Sequence, residues 1–303
     1  MTDVFSYFLT DYTFQTVTLG SALLGVISGT LGSFAVLRKQ SLLGDGVSHA
    51  ALPGIILAFL CTNTKNTELL LLGALLTGLL AVCLIGAIVR YSPIKFDSSL
   101  ALVMSVFFGL GLVLLTYVQK LPNANQAGLK RFIYGQVSTL LLRDVQFMLM
   151  SAAILFLCLL LFWKEFKLLT FDSAFAASLG FPVAQLNLFL SFLTVWAIII
   201  GLQTVGVVLM SAMLAAPAVA ARQWSKSLFA TTLLCAAFGG LSGAFGTVLS
   251  SAISGLPTGP AIVVFACGIA AVSLLFAPNR GLLWRFWNLR KQRRLLSKTG
   301  GPI

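Results

Sequence analysis

The chain has 303 residues, of which 58% are hydrophobic and 9% are charged. Soluble domains carry about 25% charged residues, so this composition excludes a soluble globular protein and indicates an all-α membrane protein with many spans. The net charge of +12 does not indicate a nucleic-acid-binding protein, because seven of the basic residues cluster from Arg280 onward, as in a cytoplasmic anchor against anionic lipid.

The N-terminal half contains four apolar runs long enough to span a membrane. We predict spans at residues 16–37, 41–60, 69–89 and 98–118. Arg38 and Lys39 follow the first span, and Arg90 and Lys95 follow the third, so both turns are expected on the cytoplasmic side. The long polar interval 119–144 is predicted to be an extracytoplasmic connection with a short helix lying across the bundle.

A fifth span at residues 145–163 leads into a short amphipathic segment, 171–182. This segment is too polar to span a membrane. Gly180 and Pro182 close it with the residues that typically end a helix. We therefore expect a short helix here, outside the membrane.

The remaining spans lie in two uncharged stretches. Residues 173–221 have room for two spans with a turn near 201–204, and residues 227–279 have room for two more. The total is nine spans, or eight if one short segment is re-entrant. With nine spans, the N-terminus is expected outside and the C-terminus inside. We predict a single membrane domain, residues 1–280, followed by a basic cytoplasmic tail, residues 281–303.

The second span carries a possible metal-binding pair. Asp45 is the only acidic residue inside a long apolar run, and His49 is the only histidine of the chain. Four residues apart on a helix, they share one face, and an oxygen with an imidazole nitrogen suits first-row divalent metals. An acid at the centre of a span costs roughly 2.5–3.5 kcal/mol, which usually signals a cavity, partner or substrate. A satisfied core histidine is the alternative interpretation.

This pair is predicted to lie deep in the span. His49 is expected roughly 12 Å from the start at Ser41, near the middle of the hydrocarbon core. Pro53 is expected to kink or break the helix just beyond it, which would free carbonyl groups to line a cavity.

Several catalytic patterns are missing from the sequence. It contains no GxxxxGK[ST] loop, no GxSxG elbow and no HExxH motif, and a single histidine cannot complete a multi-histidine zinc site. An enzyme is therefore not expected, and transport through a helix bundle is the leading class. The five cysteines are scattered and are interpreted as packing residues, as are Met210 and Met213 in preference to soft metal ligands.

One stretch of the chain resembles the signature of the ABC metal permeases, the zinc, manganese and iron branch of bacterial importers. It consists of Leu37-Arg38 followed by residues 41–54, SLLGDGVSHAALPG. Residues 171–180 resemble that family's cytoplasmic coupling segment. Residues 205–209 and 214–218 resemble its next span. The resemblance covers residues 16–280 and has no counterpart for the basic tail.

The resemblance implies a permease fold of the vitamin B12 and iron-siderophore type in a bacterial plasma (inner) membrane. It implies a second permease subunit, identical or paralogous, cytoplasmic ABC ATPase subunits that hydrolyse ATP, and an extracytoplasmic metal-binding protein. A divalent metal ion would be the transported substrate, passing Asp45 and His49, with no permanently bound cofactor. The residues implied in ATPase coupling are Asp172, Ala176, Ala177, Leu179 and Gly180.

Two rival functions remain open from the residues alone. One is a secondary transporter coupled to protons through Asp45, and the other is a passive metal channel. Co-purification of an ATPase would separate both from the ABC interpretation. Oxygen and nitrogen ligands suit manganese, iron(II) and zinc alike, so the sequence leaves the metal open.

Overall fold

The computed structural model describes residues 11–64, 66–120, 135, 137, 140–204, 206–253, 255–278 and 281–284. The principal elements of these residues are α-helices, which confirms the all-α prediction. In chain order they are α1 Tyr12–Leu37, α2 Leu43–Thr62, α3 Thr67–Tyr91, α4 Phe96–Gln119, α5 Leu142–Leu161, α6 Trp163–Phe171, α7 Ser173–Ser178, α8 Val183–Thr204, α9 Val207–Trp224, α10 Leu228–Ala252 and α11 Thr258–Phe276.

Each of the nine predicted spans coincides with a helix, but the helices are not equivalent. Within the described residues, eight are long and apolar enough to cross a membrane, namely α1 to α5, α8, α10 and α11. The helix outside this set is α9, which has 18 residues. The predicted turn at 201–204 is displaced, because α8 continues to Thr204 and α9 begins at Val207.

α8 runs antiparallel to α1. We call the end of the bundle that carries Arg38 the basic end. There, α8 lies beside α1 in the opposite direction, since Asn187 contacts Arg38 while Gly201 lies beside Leu24 in the middle of α1. α8 ends at Thr204, a few residues beyond the contact between Gly201 and Leu24.

The core is organised around α1, which packs closely against α10. Two small-residue motifs, Gly25-x-x-x-Gly29 in α1 and Gly239-x-x-x-Gly243 in α10, face each other in this seam. A Cβ atom on Gly25 would overlap the carbonyl oxygen of Gly239, and one on Gly243 would overlap the carbonyl oxygen of Ser21. Such close backbone approach is the usual role of small residues in membrane helices. The pairing explains why α1, although highly apolar, is largely hidden from lipid.

Some predictions fall outside the described residues. These are most of the 119–144 connection with its short helix, most of the 281–303 tail, and the domain boundary next to that tail. They stay predictions.

Candidate functional site

The helix that carries Asp45 and His49 starts later than predicted. α2 begins at Leu43, so Asp45 is in its first turn, where its N–H donates to the carbonyl of Leu42 at 3.1 Å. His49 therefore lies roughly 9 Å from the helix start, not 12 Å. A carboxylate beside a helix N-terminus is stabilised by about 0.3–1 kcal/mol. The cost expected of an acid at a helix centre therefore does not apply to Asp45.

Asp45 and His49 share one face of α2, as the four-residue spacing predicted. Asp45 Oδ1 lies 3.4 Å from His49 Nε2. The Asp45 side chain is 35% exposed and the His49 side chain 20% exposed in the single chain. The pair is thus partly buried and partly reachable.

Neighbouring helices close two sides of the pair. On one side, the ring of Phe108 in α4 meets the His49 imidazole edge to face, with ring centres 4.6 Å apart. On the other, Gly44 brings α2 against Ser211 of α9, where an added Cβ would lie 3.3 Å from the Ser211 Cα. These contacts fix the imidazole ring on α2 and leave the remaining side open.

Two buried polar atoms beside this face lack a partner. Neither His49 Nδ1 nor Ser48 Oγ makes a hydrogen bond in the described part of the chain. A buried polar group without a partner is costly, and such atoms are common where a ligand or solvent completes the site. Among the described residues, no group of three or more His, Cys, Asp and Glu side chains comes together. One chain therefore offers two ligands of these types at this face.

Pro53 lies inside α2 without breaking it, so of the two predicted outcomes, a kink or a break, the break does not occur. The helix continues from Leu43 through Pro53 to Thr62. Proline has no N–H, so the carbonyl of His49, four residues earlier, still lacks its usual helical donor. Close packing holds the helix together here, because Gly54 meets the backbone of Gly73 in α3.

The predicted coupling segment folds as a compact unit between α5 and α8. α7 is a single short helix, and the Asp172 carboxylate caps it by accepting from the Phe175 N–H at 2.8 Å. Its end is a Schellman motif: Gly180 N–H donates to the Ala177 carbonyl and Phe181 N–H to the Ala176 carbonyl. Gly180 ends the helix, as predicted, and does so in the left-handed region with φ +84°.

The coupling segment divides its residues between two faces. Ala176 is 1% exposed and faces the bundle, whereas Ala177 and Leu179 are exposed. Sequence reasoning missed Phe171 and Phe175, which are 60% and 52% exposed. Their spacing with Leu179, every four residues, was the available signal. Large apolar side chains exposed outside the spanning helices indicate an interaction surface.

Met210 and Met213 are packing residues, as the sequence favoured. Both are fully buried, and Met210 lies against Gly201 in the α8–α9 hairpin. Of the five cysteines, Cys235 is buried beside α1, and all five are free.

Comparison with known proteins places this architecture among transport permeases. The chain is 50% identical over 290 residues to "Zinc transport system membrane protein TroC" of Treponema pallidum (strain Nichols), covering 96% of this chain and 97% of that protein. It is 46% identical over 284 residues to "Manganese transport system membrane protein MntC" of Bacillus subtilis (strain 168), covering 94% of this chain and 65% of that protein.

A solved structure shares the fold. "PsaBC from Streptococcus pneumoniae in complex with Fab" superposes with a TM-score of 0.82 at 26% identity, covering 95% of this chain and 99% of that chain. The model of the ABC 3 transport family matches residues 10–277, which is nearly the whole helical bundle. These matches confirm the resemblance inferred from residues 41–54 and place the protein in the bacterial plasma membrane. This chain is a multi-pass membrane member of the ABC 3 transport family.

Proposed function

We propose that this chain is the permease subunit of an ATP-driven importer of a divalent transition metal ion, and that Asp45 and His49 bind the ion in the translocation path. The observation that carries the proposal is the 3.4 Å carboxylate–imidazole pair on a partly open helix face. The names of the two relatives, one for zinc and one for manganese, support a transition metal as cargo. Iron(II) fits the same ligand types.

The separation of the two ligand atoms suits one shared ion. Metal–oxygen and metal–nitrogen bonds of about 2.1 Å to atoms 3.4 Å apart enclose an angle of about 108°. That angle is close to tetrahedral. The remaining ligands would come from a second copy of the site across the open side, from water or from backbone carbonyls. A second permease, identical or paralogous, would supply such a copy.

The partner chains follow from the same proposal. Phe171, Phe175 and Leu179 give the coupling segment an exposed apolar surface that would dock in a groove of a cytoplasmic ABC ATPase, where ATP is hydrolysed. An extracytoplasmic metal-binding protein would deliver the ion. Membership of an ABC family supports ATP-driven import over a proton-coupled secondary transporter or a passive channel.

The test is metal uptake by proteoliposomes that hold the complete complex with its ATPase and metal-binding protein. Asp45→Ala and His49→Ala should each lower uptake of radiolabelled manganese or zinc by about tenfold or more, because each removes a direct ligand. Asp97→Asn is the matched control, since Asp97 occupies the first turn of α4 and is exposed. Asp97→Asn should transport normally. Normal uptake by both alanine variants would mean that the metal takes another path.

A further inference from the structure

Arg38 is a cation held at the basic end of the bundle without an acidic partner. It directly follows α1, and its guanidinium donates to the Asn187 side-chain oxygen in the second turn of α8. In the described residues no carboxylate lies within 4 Å of it. Burial lowers the pKa of Arg38 to about 10, so the side chain is still charged at neutral pH. Holding a cation partly away from water is costly, which calls for a function.

The same part of α1 is also tied to α6. The ring of Phe34, one turn before Arg38, meets Trp163 at 5.9 Å and Phe166 at 6.4 Å, both edge to face. Phe166 in turn contacts Phe189 of α8 at 5.9 Å. α6 and α8 flank the short helix α7, so both ends of the coupling segment are connected to the end of α1.

A short, ordered turn connects Arg38 to the metal-binding face. Gln40 N–H donates to the Ala35 carbonyl at 2.8 Å, and Leu43 N–H donates to the Gln40 carbonyl at 3.0 Å. Asp45 follows two residues later, in the first turn of α2. A displacement of this turn relative to α8 would therefore move the Asp45 carboxylate directly.

We propose that Arg38 is a positioning residue that, through Asn187, transmits movement of the coupling segment to the Asp45–His49 pair. The inference rests on the proposed function and adds the physical connection between ATPase docking and the metal site. The hydrogen bond joins residues 149 positions apart in the sequence and links the start of α8 to the turn before α2. Breaking it should leave the ligands in place and disconnect them from the ATPase.

The test variant is Arg38→Met, which keeps much of the side-chain length and removes the charge and the hydrogen bond. Removing a charge that has no acidic partner also removes its desolvation cost, so the complex should assemble. ATP-dependent manganese or zinc uptake by the reconstituted complex should fall about tenfold. Binding of the same metal without nucleotide should stay within twofold of the unmodified protein. ATPase activity should persist but no longer respond to the metal-loaded binding protein.

The neighbouring residue provides a matched control. Lys39 is exposed and has φ +59°, a conformation that asparagine tolerates. Lys39→Asn removes one positive charge from the same turn without touching Asn187, and should transport normally. Asn187→Asp keeps an acceptor for Arg38 and should also keep transport. Asn187→Leu removes the acceptor and should reproduce the loss, which tests the contact even if Arg38→Met does not assemble.

The outcomes separate this inference from the proposed function. If Arg38→Met and Asn187→Leu import metal normally while Asp45→Ala does not, the transmission role is wrong and the metal site stands. If either variant loses metal binding together with uptake, the contact is structural and the inference is also overturned. If Asp45→Ala binds and imports metal normally, the proposed function itself fails.

Discussion

The α1–α10 seam and the short helix α7 both depend on glycine, but for different physical reasons. In the seam, Gly25 and Gly239 are ordinary helical residues whose missing side chains let two backbones touch. At the end of α7, Gly180 has open space around it, with no atom within 4 Å of where a Cβ would be, but its φ is +84°. Gly25 is required because a side chain would collide with the neighbouring helix, whereas Gly180 is required because its own backbone has a positive φ.

The difference leads us to expect different roles for the two regions. The seam joins residues far apart in the sequence, so a fault there affects the whole bundle. α7 is defined by local hydrogen bonds and lies on the surface, so a fault there should alter coupling and leave the bundle folded. The two regions should therefore respond to substitution in different assays, stability for the seam and coupling for α7.

The largest expected effect is Gly25→Ala. A single methyl group would overlap the Gly239 carbonyl oxygen, and backbone atoms cannot move aside without separating the two helices. Overpacking typically costs 1–3 kcal/mol and more where backbone must shift. We expect a large loss of thermal stability and of folded yield in detergent.

Gly109→Ala is the matched control for the seam. Gly109 is also inside a helix, α4, but a Cβ there would meet nothing within 4 Å. It should be neutral or stabilise by about 0.5–1 kcal/mol through helix propensity. If Gly25→Ala were as stable as Gly109→Ala, the seam could not be as close as the structure has it.

Sequence patterns predicted the local features of the molecule and missed its long-range pairings. Hydropathy located the eight helices of the described residues that are long and apolar enough to cross a membrane, together with α9, and the Asp45–His49 spacing correctly placed both side chains on one face. The start of α2 was predicted too early because residues 41 and 42 belong to a turn that composition does not distinguish from a helix. Nothing local pairs Arg38 with Asn187, since that contact depends on how α8 lies against α1.

The second effect in size concerns the docking surface. Phe175→Ser should leave folding unchanged, because the ring is 52% exposed in the single chain. If the ring is buried against the ATPase, its loss should weaken subunit association by about 1.5–3 kcal/mol, which is roughly ten- to a hundredfold. Tyr91→Ser is the control, since Tyr91 is also exposed at the basic end, on α3. Equal ATPase binding by both variants would argue against docking through Phe175.

A smaller effect is expected at Gly180. Gly180→Val forces a β-branched residue to φ +84°, at a cost of about 1–3 kcal/mol confined to the end of α7. Uptake should fall while metal-independent ATPase activity and membrane insertion remain. Gly180→Asn should be much milder, because asparagine tolerates this region.

The control for backbone strain is Gly255→Val in the α10–α11 connection. Gly255 has φ +86° and similarly open surroundings, but it is remote from α7. Its substitution should lower stability by a similar amount and leave ATP-driven uptake per folded complex unchanged. A matching uptake defect in both variants would show that strain alone, rather than the position of Gly180, is responsible.

The smallest effect distinguishes two hydroxyl pairs within the seam. Ser33 Oγ lies 2.9 Å from Thr232 Oγ1 and also donates to the Thr30 carbonyl, so the Thr232 hydroxyl can donate to Ser33 and both protons are used. Ser21 and Thr247 lie 2.7 Å apart, but each hydroxyl already has a carbonyl acceptor on its own helix.

Two hydroxyl protons cannot serve three hydrogen bonds, so the pair Ser21–Thr247 should contribute less than the pair Ser33–Thr232. Double-mutant cycles with Ser→Ala and Thr→Val, measured by reversible unfolding in mixed micelles, should give about 0.6 kcal/mol or more for Ser33–Thr232, the usual size for such bonds between membrane helices. The Ser21–Thr247 cycle should give a smaller coupling energy. The reverse order would mean that Ser21 or Thr247 does not make its carbonyl hydrogen bond and that its hydroxyl proton points across the seam instead.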